Sequence, residues 1–198
     1  MEALGATTVG LVCKDGVVLA SEKRVAYGYT ILSKMGKKVF KITNNLAIAC
    51  AGLIADMQIL AKSLTAEANL YELTYKSPMK VRNLAKLLST ILYSNRLYPY
   101  LTEIIVAGVD VTGPHLYVLD PLGSLIEDKY AALGSGAPLA MSILESEYRP
   151  EITVDIGERM AVKAISAAIK RDIISGDGID ILIVKQEGTI EKFLPVEL

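Results

Sequence analysis

No tryptophan, a single histidine and two cysteines occur among the 198 residues. The histidine, His115, stands beside a Gly-Pro turn with no Cys/His cluster at metal-ligand spacing, so the sequence offers no metal centre. His115 itself is not expected to act in catalysis. Cys13 and Cys50 each sit in an apolar, β-branched run, which predicts two buried strand thiols in a reducing compartment and no disulfide. Membrane-length apolar runs are missing too: the longest, Leu46 to Ala55, falls far short of the roughly 20 residues a bilayer demands. The opening MEALG has neither the positive region nor the apolar stretch of a secretory signal. A net charge of −1 gives no basic footprint for nucleic acid. What is abundant is apolar surface: 52% of the residues are hydrophobic, above the usual range for a soluble domain, which points to burial between subunits rather than in lipid.

The length suits one domain with a substantial core. TTVGLVC and VVLAS flank a Lys-Asp-Gly turn, a hairpin signal, and KVFKI–Asn-Asn–LAIACA repeats the scheme between Lys38 and Ala51. Both faces of these strands are apolar, so their sheet is expected to be covered on both sides. The period then changes. Leu53, Met57, Leu60, Ala61, Leu64, Ala68 and Tyr71 fall on one helical face. A second helix is predicted from Ser77-Pro78, with serine as N-cap and proline at the first helical position, running on through Val81, Leu84, Ala85, Leu88 and Leu92. EIIVAGVD, HLYVLD and SLIEDKYAAL read as three further strands. A short helix follows Gly134-Ser135-Gly136 as far as about Tyr148, and a longer one is expected from Val154 to Ile174, capped by Thr153, with Asp155 in its first turn. IDILIVK and TIEKFLP close the chain as a hairpin. Strands, two helices, strands, two helices, strands: this order predicts an α+β fold of two packed antiparallel sheets flanked by helix layers.

GATTVG, DGVVLASEKR, SKMGKKVFKI, ACAGLIAD, YAALGSGAP, LESEY and ISAAIKRDIISGDGID, in this order and spacing, resemble the β-type subunits of the 20S proteasome, especially archaeal ones. The resemblance extends from Gly5 to about Leu194. An α-type subunit fits less well, because only five residues precede the first strand. The family belongs to the N-terminal nucleophile hydrolases, with a four-layer αββα sandwich. It implies a threonine endopeptidase that degrades unfolded protein: a threonine, exposed by removal of a propeptide after glycine, attacks the peptide carbonyl while its own α-amine takes the proton. An α-amine titrates near ~8, so the base is available at neutral pH and no histidine is needed.

Carried over residue by residue, the resemblance assigns Glu22 and Lys38 to polarising the nucleophile, and the Gly52 amide to the oxyanion hole. Glu22 stands where the family more often has aspartate. Ser135, Asp172 and Ser175 become the hydrogen-bonding groups around the nucleophile and its amine, and Val25, Gly36, Phe40, Cys50 and Ile54 line an apolar pocket for the side chain before the cut. Taken singly, Lys38 reads as a solvated strand-end lysine and Ser135 as a turn residue. The shared positions favour the functional assignment.

One position departs. Counting back from Val9-Gly10 puts Ala6, not threonine, at the nucleophile, and a methyl group cannot attack a carbonyl. Cleavage after Gly5 depends on the same hydroxyl, so residues 1–5 are expected to remain as an uncleaved propeptide ahead of a single domain, residues 6–198. The chain is then catalytically silent, through either an engineered Thr-to-Ala change or descent as an inactive structural paralogue. The alternative is processing after Ala6, which makes Thr7 the nucleophile and requires the first strand to slip by one residue. Either way the resemblance implies stacked heptameric rings with α subunits and other β subunits, a regulatory ATPase acting through the α ring, no cofactor, and a cytoplasmic setting.

Overall fold

The structure, a computed structural model, describes residues 5–28 and 30–196. The segment preceding Gly5, expected to be a propeptide, lies outside the described residues. The fold is built on β1 (Thr8–Cys13) and β2 (Gly16–Glu22), in which every residue is buried. Their two faces serve two cores. Val9, Leu11, Cys13, Val18 and Ala20 pack under helices, whereas Val12, Val17 and Leu19 meet a second sheet. This is why both strands are apolar on both sides.

Among the described residues the strands form two five-stranded antiparallel sheets and a separate hairpin. The first sheet adds β10 (Tyr130–Leu133), β11 (Ile179–Lys185) and β12 (Gly188–Leu194), in the order β10-β1-β2-β11-β12. The second contains β5 (Val39–Lys41), β6 (Leu46–Gly52), β7 (Thr102–Asp110), β8 (Gly113–Leu119) and β9 (Ile126–Asp128), in chain order. Between the sheets β6 presents Ala47, Ala49 and Ala51, and β7 adds Ala107; these small side chains let the layers approach. The opposite face of β6, with Leu46, Ile48 and Cys50, packs under α1 (Ile54–Tyr75) and α2 (Val81–Ser94). The first sheet is covered by α3 (Ala137–Glu147) and α4 (Val154–Ile169). The result is the four-layer αββα sandwich of the N-terminal nucleophile hydrolases. No described helix is long and apolar enough to cross a membrane. Cys13 and Cys50 are free and buried; burial pushes the Cys13 thiol up to about 12 and raises that of Cys50 as well.

Five local expectations are corrected. The second helix starts at Val81, not at Ser77-Pro78, because its first N–H donates to Asp110 Oδ2 at 3.0 Å, a cap supplied by the end of β7. Thr153 makes no side-chain cap; the Val154 N–H donates instead to Asp15 Oδ1 at 2.9 Å. The last helix ends at Ile169 rather than Ile174, which frees residues 170–178 to form a loop. SLIEDKYAAL is two strands in different sheets, β9 and β10, with the crossing at Lys129. Leu53 is not on the buried face of α1: it is the partly exposed residue before the helix. A short hairpin, β3 (Val25–Tyr27) with β4 (Thr30–Ser33), was not foreseen.

The borrowed cap on α2 carries a testable consequence. Burial works against the Asp110 carboxylate, but hydrogen bonds from Thr112 and Val81 outweigh it and hold the carboxyl below the ordinary aspartate range. A depressed folded pKa adds stability that is present above the unfolded value and lost as pH falls through the folded one. Asp110→Ala is therefore expected to cost about 1 kcal/mol at neutral pH and much less in acid, below the normal aspartate range. Denaturation midpoints of the two forms across that window check it.

Candidate functional site

Five pieces of chain converge at one end of the intersheet layer: the residues entering β1, the end of β2, the approach to β5, the β10–α3 turn and the loop after α4. At their centre is a buried ion pair. Lys38 Nζ bonds Glu22 Oε1, and both side chains are essentially inaccessible to solvent. Glu22 accepts three more hydrogen bonds, from the N–H groups of Thr7 (3.2 Å), Arg24 (2.7 Å) and Gly176 (3.1 Å). Lys38 Nζ also donates to the Arg24 carbonyl at 2.6 Å. Burial drives both groups toward neutrality, raising the Glu22 carboxyl and lowering the Lys38 amine, while their mutual attraction opposes each shift. A lysine held this way can give up its proton far more readily than a solvated one.

The second group of side chains comes from the loop after α4 and the turn before α3. Asp172 Oδ2 lies 2.6 Å from Ser135 Oγ and 2.7 Å from Ser175 Oγ. Each serine has one proton, and the carboxylate takes both. Ser175 Oγ is also 2.7 Å from Thr7 Oγ1, so in that contact Thr7 must be the donor. Ser135 Oγ stands 3.3 Å from the Ala6 carbonyl oxygen, which places this network directly beside the peptide of Ala6.

Strand alternation separates Ala6 from Thr7. Thr7 lies on the helix-facing side with Val9 and Leu11, walled in by Gly136 and Ala168. Ala6 lies on the opposite side, in the intersheet core with Val39 and Ala51, the neighbours of Lys38 and Gly52. Pairing of Thr8 with both Ser21 and Leu133 fixes this register. A one-residue slip would carry Val9, Leu11 and Cys13 out of the helical core. Both Ala6 and Thr7 are fully buried.

Gly52 has φ 136°, and a Cβ there would overlap the Leu101 carbonyl oxygen, so only glycine can bring its peptide this close to the strand end. Of the apolar pocket residues, Phe40 and Ile54 pack against the cluster containing Cys50, while Val25 and Ile54 flank Gly36. The five are thus brought together, at the edge of the second sheet beside the start of α1. His115 stands apart: its ring nitrogens contact Thr112 and Glu127, each at 2.8 Å, at the far turn of β7 and β8 and on β9. Among the described residues no three His, Cys, Asp or Glu side chains gather as a metal site.

Two site residues escaped the sequence reading. Asp177 grips the Arg24 guanidinium, with Nε to Oδ2 at 2.7 Å, and Gly176 lies flat against that group. The only hint in the sequence was the turn-rich run SGDG.

Chemically, the arrangement offers a proton-accepting amine, a carboxylate that orients it and a hydroxyl–carboxylate network around one backbone position. It suits acyl transfer, provided that position carries a hydroxyl. Comparison with known proteins agrees with this architecture. The chain is 55% identical over 195 residues to proteasome subunit beta 2 of Pyrobaculum aerophilum, an alignment covering 98% of this chain and 96% of the relative. It is 53% identical over 196 residues to proteasome subunit beta 2 of Thermofilum pendens, covering 99% and 96%. The proteasome subunit family model matches residues 2–184, and the chain therefore belongs to the proteasome subunit family.

Proposed function

We propose that this chain is a catalytically silent β subunit of a proteasome core particle, retaining the surroundings of a threonine endopeptidase site without its nucleophile. The carrying observation is the placement of Ala6. Its side chain belongs to the intersheet cluster that also holds Val39 and Ala51, next in sequence to Lys38 and Gly52, and its carbonyl oxygen lies beside Ser135. The Glu22–Lys38 pair and the Asp172 network surround a position with no hydroxyl to activate.

Thr7 does not substitute for it. Its hydroxyl points to the helical side and donates to Ser175 rather than facing the intersheet core that holds Ala6. Its amide N–H is spent on Glu22. Activating Thr7 would require breaking the Ala6–Thr7 bond and turning over the first strand.

As a silent subunit it completes rings with α-type and active β-type subunits in the cytoplasm, receiving unfolded protein through a regulatory ATPase. Leu70, Leu73 and Tyr75 on α1, and Tyr93, Leu97 and Tyr98 at the end of α2 and just beyond, are more than half exposed. So much apolar surface on one layer suits burial against neighbouring subunits. The test is the mass and N-terminal sequence of the chain in assembled particles. Retention of Ala6 behind an intact Gly5 supports silence. A chain starting at Thr7, or an inhibitor bound to its hydroxyl, overturns it.

A further inference from the structure

The loop after α4 carries Asp172 and Ser175 but has no helix or strand of its own between Lys170 and Gly178. Something must hold it to the accuracy that hydrogen bonds of 2.6–2.7 Å imply. Arg24 bridges it at two points. Its Nη1 donates to the Ile173 carbonyl at 2.9 Å, and its Nε and Nη2 donate to the two oxygens of Asp177 at 2.7 and 3.3 Å. Ser175 lies between these anchors. Asp177 has φ 69°, a left-handed conformation that costs a non-glycine residue energy and persists where the surroundings enforce it. Its side chain is nearly inaccessible, at 5% exposure, and Gly176 leaves room for the guanidinium, since a Cβ there would overlap it. The Arg24 bond holds the Asp177 carboxyl below the ordinary range. The backbone of the same arginine serves the other half of the site, its N–H donating to Glu22 and its carbonyl accepting from Lys38, while the same N–H also reaches the Gly176 carbonyl of the loop at 3.1 Å.

We infer that Arg24 is a positioning residue that couples the two halves of the site. Its main chain seats the Glu22–Lys38 pair, and its guanidinium clamps the Asp172–Ser175 loop through Asp177 and Ile173. Only the side-chain half can be removed by substitution, which makes the coupling testable. The consequence for the reaction rests on the proposed reading of Ala6 as the nucleophile position; the clamp itself does not.

Hydrogen exchange on assembled particles tests the clamp in the chain as it stands. Arg24→Met and Asp177→Gly are each expected to speed amide exchange across residues 172–178 by roughly tenfold or more while leaving β1 and β11 unchanged. Glycine keeps the left-handed backbone and deletes only the carboxylate, so it separates strain from clamping. The double variant should exchange no faster than Arg24→Met alone, which already removes the Asp177 contact together with the Ile173 one, and Arg24→Lys should restore part of the protection. Unchanged loop exchange, or additive effects, overturns the clamp. In the Ala6→Thr background, Arg24→Met should lower kcat about 10- to 100-fold through misplaced groups with KM nearly constant, because the partners of the guanidinium are Ile173 and Asp177, outside the expected apolar pocket. A loosened loop with unaltered kcat overturns the coupling. An Ala6→Thr parent that is itself inert overturns the reading of Ala6 and the coupling with it, while the exchange result still decides the clamp.

Discussion

Assembled particles carrying Ala6→Thr lose Met1–Gly5 and hydrolyse a peptide with a hydrophobic residue before the cut; the parent chain does neither. The expectation follows from what the substitution adds to an otherwise furnished site. A hydroxyl at residue 6 is placed on the intersheet side of the strand, in the cluster that holds Val39 and Ala51, next in sequence to Lys38 and Gly52. Lys38, whose amine is lowered by burial, can accept the hydroxyl proton as the oxygen adds to the Gly5 carbonyl. The amide C–N bond between Gly5 and residue 6 then breaks as Lys38 passes that proton to the leaving nitrogen, an ester takes its place, and water hydrolyses the ester, releasing the first five residues as an acid and leaving a free α-amine on the new threonine. That amine titrates near ~8 and supplies the base for later turnovers.

The expected gain is on the order of 10⁴-fold or more, the scale on which hydrolases lose activity when stripped of their nucleophile. Ala6→Val is the control, adding threonine's bulk without its hydroxyl, and it should stay unprocessed. Particles of Ala6→Thr that assemble yet keep Gly5 would place the nucleophile elsewhere and end the present reading of the site.

Much of this architecture is legible from residue types because the physics is local. Apolar residues on both faces of β1 and β2 announce a sheet covered on both sides, and the change of period after Gly52 announces the helical layer. The misjudged boundaries share one cause, a partner distant in sequence. Ser77-Pro78 has the chemistry of a helix start, but the carboxylate that caps α2 belongs to Asp110, across the sheet. The stretch from Ser124 to Leu133 alternates like one strand, yet it changes sheets at Lys129, whose carbonyl accepts from Val12. Helical periodicity carries the eye past Ile169, although Asp172 and Ser175 are needed in a loop. The β3–β4 hairpin left no signal because it buries little: all four residues of β4 are exposed. At the site, the family pattern pointed to Glu22, Lys38, Gly52, Ser135, Asp172 and Ser175. Asp177 was invisible, since nothing in a sequence tells which carboxylate an arginine 153 residues away will grip.

The buried pair should fail asymmetrically when either partner is removed. Lys38→Met deletes one of four donors to Glu22; the N–H groups of Thr7, Arg24 and Gly176 remain to solvate the carboxylate. Glu22→Leu deletes the acceptor for all four, leaving the Thr7 and Gly176 N–H groups unpaired, the Arg24 N–H with the Gly176 carbonyl at 3.1 Å and the Lys38 ammonium with the Arg24 carbonyl alone. Breaking a buried pair costs about 3–5 kcal/mol, and each stranded donor adds about 1–3 kcal/mol. Glu22→Leu should therefore stand at or above the top of that range and Lys38→Met near its bottom. The pH dependences should also slope in opposite directions. In Lys38→Met the lone carboxyl titrates above its unfolded value, so acidification, which neutralises it in the folded state, recovers stability. In Glu22→Leu the lone amine titrates below its unfolded value, and raising the pH brings recovery. Thermal melts at fixed particle concentration across pH read out both the order and the two slopes. Equal losses, or slopes of the same sign, would mean that Glu22 is held by Lys38 alone and that its backbone donors contribute nothing. That outcome would also remove the physical reason for retaining this pair around an alanine, because a carboxylate wired to three backbone N–H groups is costly to dismantle whether or not a nucleophile stands beside it.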